Sequence, residues 1–388
     1  MEKAQVFDLM EFPLAPAPDG GVVVYRDRRT VGYVPLRGTP FQVMDVARDQ
    51  GSLPWLLSRQ ELFMLGDEGR RELAFELSPF GAPVAGGDLY PSLVELERGP
   101  AERMFVLNTM QGARVLRLVG HELIALESTA LPYLGVCSWE RGGQIRFGGM
   151  SARTRAAGGA GTGSQWHPGR PAVLSVREAN RAEPASYALE PVPVPVHWAD
   201  SAKAHSLTTR EIEQLTPECC IAGALNDGKG VLLCGVLALP SGENPLDELV
   251  SRPMNVEYLG YLVLSLEGSR VLDCRIFRCI LATLRCGSST WAYISDNKGD
   301  GGTVGSLTRL ELDASGVRSE RPLVLHGVDP SSTCTSFQPR MHPKVGFFGS
   351  AQLRSGDSKP VAHYLQSDDA LSWTVIGRAG EIATILAP

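Results

Sequence analysis

No apolar run in this sequence approaches the ~20 residues of a membrane-spanning helix, and the opening MEKAQVFDLMEFPLAPAP is broken by Asp8 and Glu11 before any signal-peptide core forms. The sequence therefore predicts a soluble protein with no membrane partner. Excess positive charge is lacking too: 37 Lys and Arg stand against 43 Asp and Glu, a formal net charge of -6. Such a chain has no general attraction for phosphate backbones or anionic membranes, so no nucleic-acid partner is indicated. Cysteine is sparse, with eight residues, and several of these sit inside apolar runs such as CCIAGAL and VLLCGVLAL. Without a secretory signal they read as reduced, buried thiols of a cytoplasmic protein or of a particle assembled inside the cell. The seven histidines form no H-E-x-x-H or H-x-H pattern, and G-x-S-x-G is absent.

Short apolar or alternating runs bounded by turn residues are abundant, which is the period of strands and not of helices. Met104–Glu127 is the clearest stretch, with MFVLN, ARVLRLV and ELIALE reading as a three-stranded meander. ELFML with ELAFELS, and GVCSW with QIRFGG, read as hairpins, and so do ECCIAGAL with VLLCGVLAL and YLVLSL with RVLDCRIF. SLTRLEL and RPLVL bracket DASGVRSE as a further pair, and SWTVIG precedes EIATILA. Helices are expected only as connectors at LTTREIEQL, where Thr208 and Glu211 have capping-box spacing, and at PLDELV.

The 388 residues exceed one ordinary core. Prolines at 191, 193 and 195 hold the backbone extended and mark a linker. The expectation is two consecutive β-rich domains of sandwich or barrel type, 1–190 and 203–388, joined by a Pro-rich linker at 191–202. A single β-propeller formed by the whole chain is the alternative, although no blade signature recurs. Arg153 to Pro171 holds five glycines between 158 and 169 and reads as a flexible loop.

Each motif that resembles a chemical signature fails at an essential position. Gly223 to Gly230 matches G-x-x-x-x-G-K but has Gly230 where Ser or Thr should hold magnesium, and a strand pattern follows it instead of a helix. Asp296 to Gly302 opens like a calcium loop, yet Lys298 occupies the third ligand position and Leu307 the twelfth. The cysteine spacings do not supply a zinc set, so no metal and no cofactor is expected. Gly356-Asp357-Ser358 is followed by Lys359 and Pro360, and Pro has no amide hydrogen for an oxyanion hole.

These readings favour a non-enzymatic binding or assembly module: a structural subunit of a larger complex or particle, virions included, or a β domain that binds protein or glycan. Protein partners or self-assembly are expected. The alternative is a propeller or sandwich enzyme acting on a glycan or a small hydrophobic metabolite. Its candidate catalytic residues are Asp296, Asp300, His167 and His197, with Trp166 and Trp198 as binding walls.

Overall fold

Runs such as Val22–Tyr25 and Met104–Leu107 are apolar at every position and buried at every position, which a strand achieves only when both faces of its sheet are covered. The computed structural model describes residues 14–17, 22–25, 31–34, 45–47, 55–58, 60–65, 71–83, 93–99, 102–109, 111–119, 122–141, 144–155, 165–177, 186–191, 215–225, 231–238, 258–265, 270–276, 278–286, 289–296, 301–313, 316–342 and 345–382. They form seven sheets.

The first sheet contains β1 (Leu14–Pro16), β2 (Val22–Tyr25) and β3 (Val31–Val34). β4 (Asp45–Ala47), β5 (Trp55–Leu57), β6 (Glu61–Leu65) and β7 (Arg71–Glu76) make the second. The third is β8 (Leu93–Gly99), β9 (Glu102–Thr109), β10 (Gly112–Val119) and β11 (Glu122–Ala125). The fourth has β12 (Tyr133–Arg141), β13 (Gln144–Arg155), β14 (Gln165–Arg177) and β15 (Ser186–Pro191). β16 (Leu215–Leu225), β17 (Val231–Ala238), β18 (Tyr258–Ser265) and β19 (Arg270–Ile276) follow as the fifth. After β20 (Arg278–Cys286) and β21 (Ser289–Asp296) the chain makes β22 (Gly302–Thr303) and a 3-10 turn at Val304–Ser306. It then returns to the sixth sheet as β23 (Thr308–Asp313) and β24 (Gly316–Pro322). β25 (Val324–His326), β26 (Thr333–His342), β27 (Gly346–Arg354), β28 (Val361–Ser367) and β29 (Ser372–Arg378) complete the seventh, in the order β22-β26-β27-β28-β29-β25.

The five four-stranded sheets are antiparallel meanders stacked in chain order as blades of a propeller-like ring, between a three-stranded sheet and a six-stranded one. First strands of successive sheets touch from β1 to β4, β8, β12, β16, β20 and β26. Ring closure brings the first and seventh sheets together. The Tyr25 hydroxyl donates to the Gly349 carbonyl at 2.6 Å, and its ring lies 4.7 Å from that of Phe348. A Cβ at Gly377 would meet Val31 at 2.8 Å, so only glycine lets these two sheets approach this closely. The mainly β reading holds and the propeller alternative fits. Pro191 ends β15 on the edge of its sheet, where a missing N–H is tolerated; positions 192–202 lie outside the described residues, while β13 and β14 pack on β16 across that interval.

Stacking sorts the side chains of β9 and β10 into two cores. Met104 and Val106 of β9, with Ala113 and Val115 of β10, join Phe147, Leu174 and Val176 of the fourth sheet. Their neighbours Phe105, Leu107, Leu116 and Leu118 turn the other way, to Leu57 and Leu62 of the second. Each such fully buried aliphatic or aromatic side chain contributes roughly 1.5–3 kcal/mol.

Two expectations are corrected. The segment 153–171 is not a loop at its ends: β13 runs on to Arg155 and β14 starts at Gln165, with Arg153 opposite His167 and Thr154 opposite Trp166. This extension passes the ends of β12 and β15 and is paired only within itself among the described residues, so Pro168 and Pro171 interrupt no third strand. The turn expected over DASGVRSE is shorter, because Gly316 already pairs with Asp313 and β24 continues through VRSERP. Among the described residues there is no α-helix. Of LTTREIEQL only Leu215 is described, as the start of β16, and PLDELV lies outside.

Candidate functional site

Asp296 ends β21, where the chain leaves the sixth sheet to form β22. Its Oδ1 accepts the Thr303 N–H at 3.0 Å and the Ser306 hydroxyl, and the Thr303 hydroxyl reaches Oδ2 at 3.5 Å. The Asp296 N–H donates to Ser306 Oγ at 3.1 Å. This carboxylate closes its own loop. Below it Gly302 is packed so tightly on Ser295 that a side chain has no room, and the loop delivers Gly302 and Thr303 to pair with Cys334 and Thr333 of β26.

Asp300, His197 and Trp198 lie outside the described residues. Trp166 and His167 belong to β14 in the fourth sheet, with the fifth sheet between them and Asp296 in the ring. The described candidates thus sit on separate blades. Gly356-Asp357-Ser358 is an exposed turn in which the Ser358 hydroxyl donates to the Ser355 carbonyl at 2.7 Å. Gly223 to Leu225 and Val231 pair as a hairpin and β17 follows, as the strand pattern required. Cys274 and Cys279 fall on β19 and β20 of different sheets. Cys334 is buried, its thiol donating to the Ser336 carbonyl at 3.3 Å. No group of three His, Cys, Asp or Glu side chains converges among the described residues.

The β13–β14 extension is the element that departs from the blade plan. Its two strands and their connection, Ser151 to Pro171, carry Arg153, Arg155 and Arg170 with Trp166 and His167, and no Asp or Glu. The chain as a whole is acidic at -6. It is a cationic, aromatic-bearing ribbon in an acidic chain.

Two buried polar groupings gave no sequence signal. At the outer edge between the third and fourth sheets, Glu127 Oε1 accepts the Val115 N–H at 2.8 Å, while its Oε2 and the Tyr187 hydroxyl are buried without a hydrogen-bond partner. Burial pushes the Glu127 carboxyl up to about 7 against the opposing pull of the Val115 N–H and Arg114. The Tyr187 phenol is also raised, by burial first and then by Glu127.

Between the sixth and seventh sheets the Arg309 guanidinium lies 4.1 Å from the centre of the Trp291 ring, and its Nη1 donates to the Asp369 carbonyl at 2.8 Å. Burial lowers the pKa of Arg309. Asp369 anchors its turn by accepting the N–H groups of Leu371 and Ser372, each at 2.8 Å. Burial works to raise its pKa, but these bonds and the Ser367 hydroxyl hold it below the ordinary carboxylate range. Both groupings depend on which strands become neighbours in the ring, and nothing local to Glu127 or Arg309 announces that.

No family model matches this chain, and no curated protein matches it. Among solved structures it is similar to BamB from Moraxella catarrhalis, at 12% identity over 98% of this chain and 90% of that one, with a TM-score of 0.38. A mutant of Synechocystis apocarotenoid oxygenase is 10% identical over 93% and 75%, with a TM-score of 0.41. The N-terminal domain of Nup159 is 10% identical over 90% of each chain, with a TM-score of 0.36. None of these likenesses transfers a residue, ligand or partner to this chain.

Proposed function

We propose that this protein is a binding and assembly module whose contact element is the β13–β14 ribbon, reaching onto the acidic body of a second copy of the chain. The observation that carries this reading is the extension itself, in which two strands run on past both neighbours described in their sheet. A two-stranded ribbon is marginal in water by itself and gains stability from what it packs against. Three arginines and no acid in the ribbon, against a net charge of -6 for the chain, make the body of another copy an electrostatically matched surface. The commitment of Asp296 to its own loop supports a scaffold over a catalytic reading.

Size exclusion with light scattering tests it. At low salt the full chain is expected to run above the 41.8 kDa of one copy. It should fall towards that mass at 0.5 M salt, where the Debye length shrinks to roughly 4 Å, and in the variant Arg153→Ser/Arg155→Ser with an unchanged circular dichroism spectrum. A strict monomer at low salt overturns the proposal.

A further inference from the structure

The seam between the third and fourth sheets contains a second device, independent of the ribbon. Register places Val115 on the face of β10 that meets the fourth sheet, and Tyr187, opposite Val176, on the face of β15 that meets the third. Glu127 follows β11, with the preceding Leu126 N–H bonded to the Val115 carbonyl at 3.0 Å. Glu127 and Tyr187 therefore meet across the outer rim of the seam, each with one buried, unfilled oxygen.

We infer that Glu127 and Tyr187 form a proton-operated latch between the outer strands of these two sheets. The Val115 N–H fixes Oε1 as an acceptor, so the proton of the neutral acid resides on Oε2. There it is a donor at a rim that also holds the unfilled Tyr187 oxygen, and the latch closes when rotation of either side chain brings the two together. Loss of the proton leaves a charge in a buried seam. Arg114 on β10 is the cation acting on it, but the Arg114 Nε is already committed to the Phe80 carbonyl at 3.3 Å. Arg117 lies further along the same strand, and Glu122 on β11 and Glu190 on β15 are exposed. Hydrating the charge requires the rim to open.

The direction of the pH effect follows from linkage. The folded-state carboxyl, at about 7, binds its proton more tightly than the unfolded chain does at 4.5. Latch stability is therefore fully present below pH 4.5 and is lost as pH rises through 7.

Hydrogen exchange read by mass spectrometry, corrected for intrinsic rates, tests this on the full chain. Peptides covering 122–127 and 186–191 should exchange about tenfold faster at pH 8.0 than at pH 5.5, after discounting for partial exposure, while peptides of β27 and β28 stay unchanged. Glu127→Gln, neutral at both pH values, should remove the pH dependence at the rim. Tyr187→Phe, which cannot accept the bond, should leave the rim fast at pH 5.5 as well. A wild-type rim indifferent to pH, or a Glu127→Gln rim with the wild-type dependence, overturns the latch.

Discussion

The sixth and seventh sheets and the third and fourth sheets are both neighbouring pairs in the ring, yet they are joined by different means. The sixth sheet lends backbone to the seventh on both edges. β22, from the loop after β21, pairs with β26, and β25, reached directly from β24, runs parallel to β29. Between them lies a continuous core in which Tyr293, Phe337 and Trp373 meet edge to face, with ring centres 4.9 to 6.5 Å apart. Among the described residues the third and fourth sheets exchange no strand. They are joined by one backbone bridge, Ala113 with Leu131 in the connection before β12, and otherwise by side chains: the apolar core, the Glu127–Tyr187 rim, and Asn108, whose amide donates to the Gly135 carbonyl at 2.7 Å and accepts the Gly135 N–H at 2.9 Å, standing in for a ladder residue. A side chain can be replaced or titrated where a strand cannot, so this seam is the adjustable one.

The sharpest way to break the comparison is Asn108→Ala. It removes both bonds to Gly135 and leaves a buried N–H and C=O unpaired, at about 1–3 kcal/mol for each group. Thermal unfolding should shift down by several degrees, and hydrogen exchange should accelerate at β12 with no change at β26. A smaller loss is expected from Asp296→Ala, which frees Thr303 and Ser306 and loosens β22; about 1–2 kcal/mol is reasonable for a partly buried carboxylate clasp. Here exchange should rise at 301–306 and 333–335, leaving the third and fourth sheets untouched. The smallest effect has the opposite sign. Ala370, buried in the turn that docks on Arg309, has a φ of 59°, which disfavours a side chain. Ala370→Gly should stabilise the sixth-to-seventh junction by about 1 kcal/mol, read as a rise in the denaturant midpoint.

Strands and hairpins were legible because their signal is local. Val115 and Leu116 are both apolar because each feeds a different core, and the run of Leu and Val that results reads as strand wherever it occurs. The ribbon was misread for an equally local reason. Glycine and proline between 158 and 171 imitate a loop, whereas β14 tolerates Pro168, Gly169 and Pro171 because, among the described residues, its extension pairs only with β13. Asp296 stood out in sequence for sharing a short segment with Asp300 and several glycines, features of a tight turn as much as of a ligand loop, and its structural partners are Thr303 of β22 and Ser306 of the 3-10 turn that follows. Glu127, Tyr187 and Arg309 were invisible because their setting arises only when one sheet stacks on the next, which no local pattern announces. The candidate set at 167, 197, 296 and 300 combined residues by type, and the ring distributes the described members over separate blades.

The bond from Tyr25 to Gly349 spans 324 positions of sequence, and this has a kinetic consequence. Contacts so remote carry a large loop-closure entropy, and every intervening sheet must be in place before they bring any return. During synthesis from the N-terminus the first sheet emerges long before its partner and waits with Val23 and Tyr25 uncovered until the seventh is made. The closing contact of the ring is therefore also the last step of its folding, and the interval before it is when this chain is most exposed to aggregation.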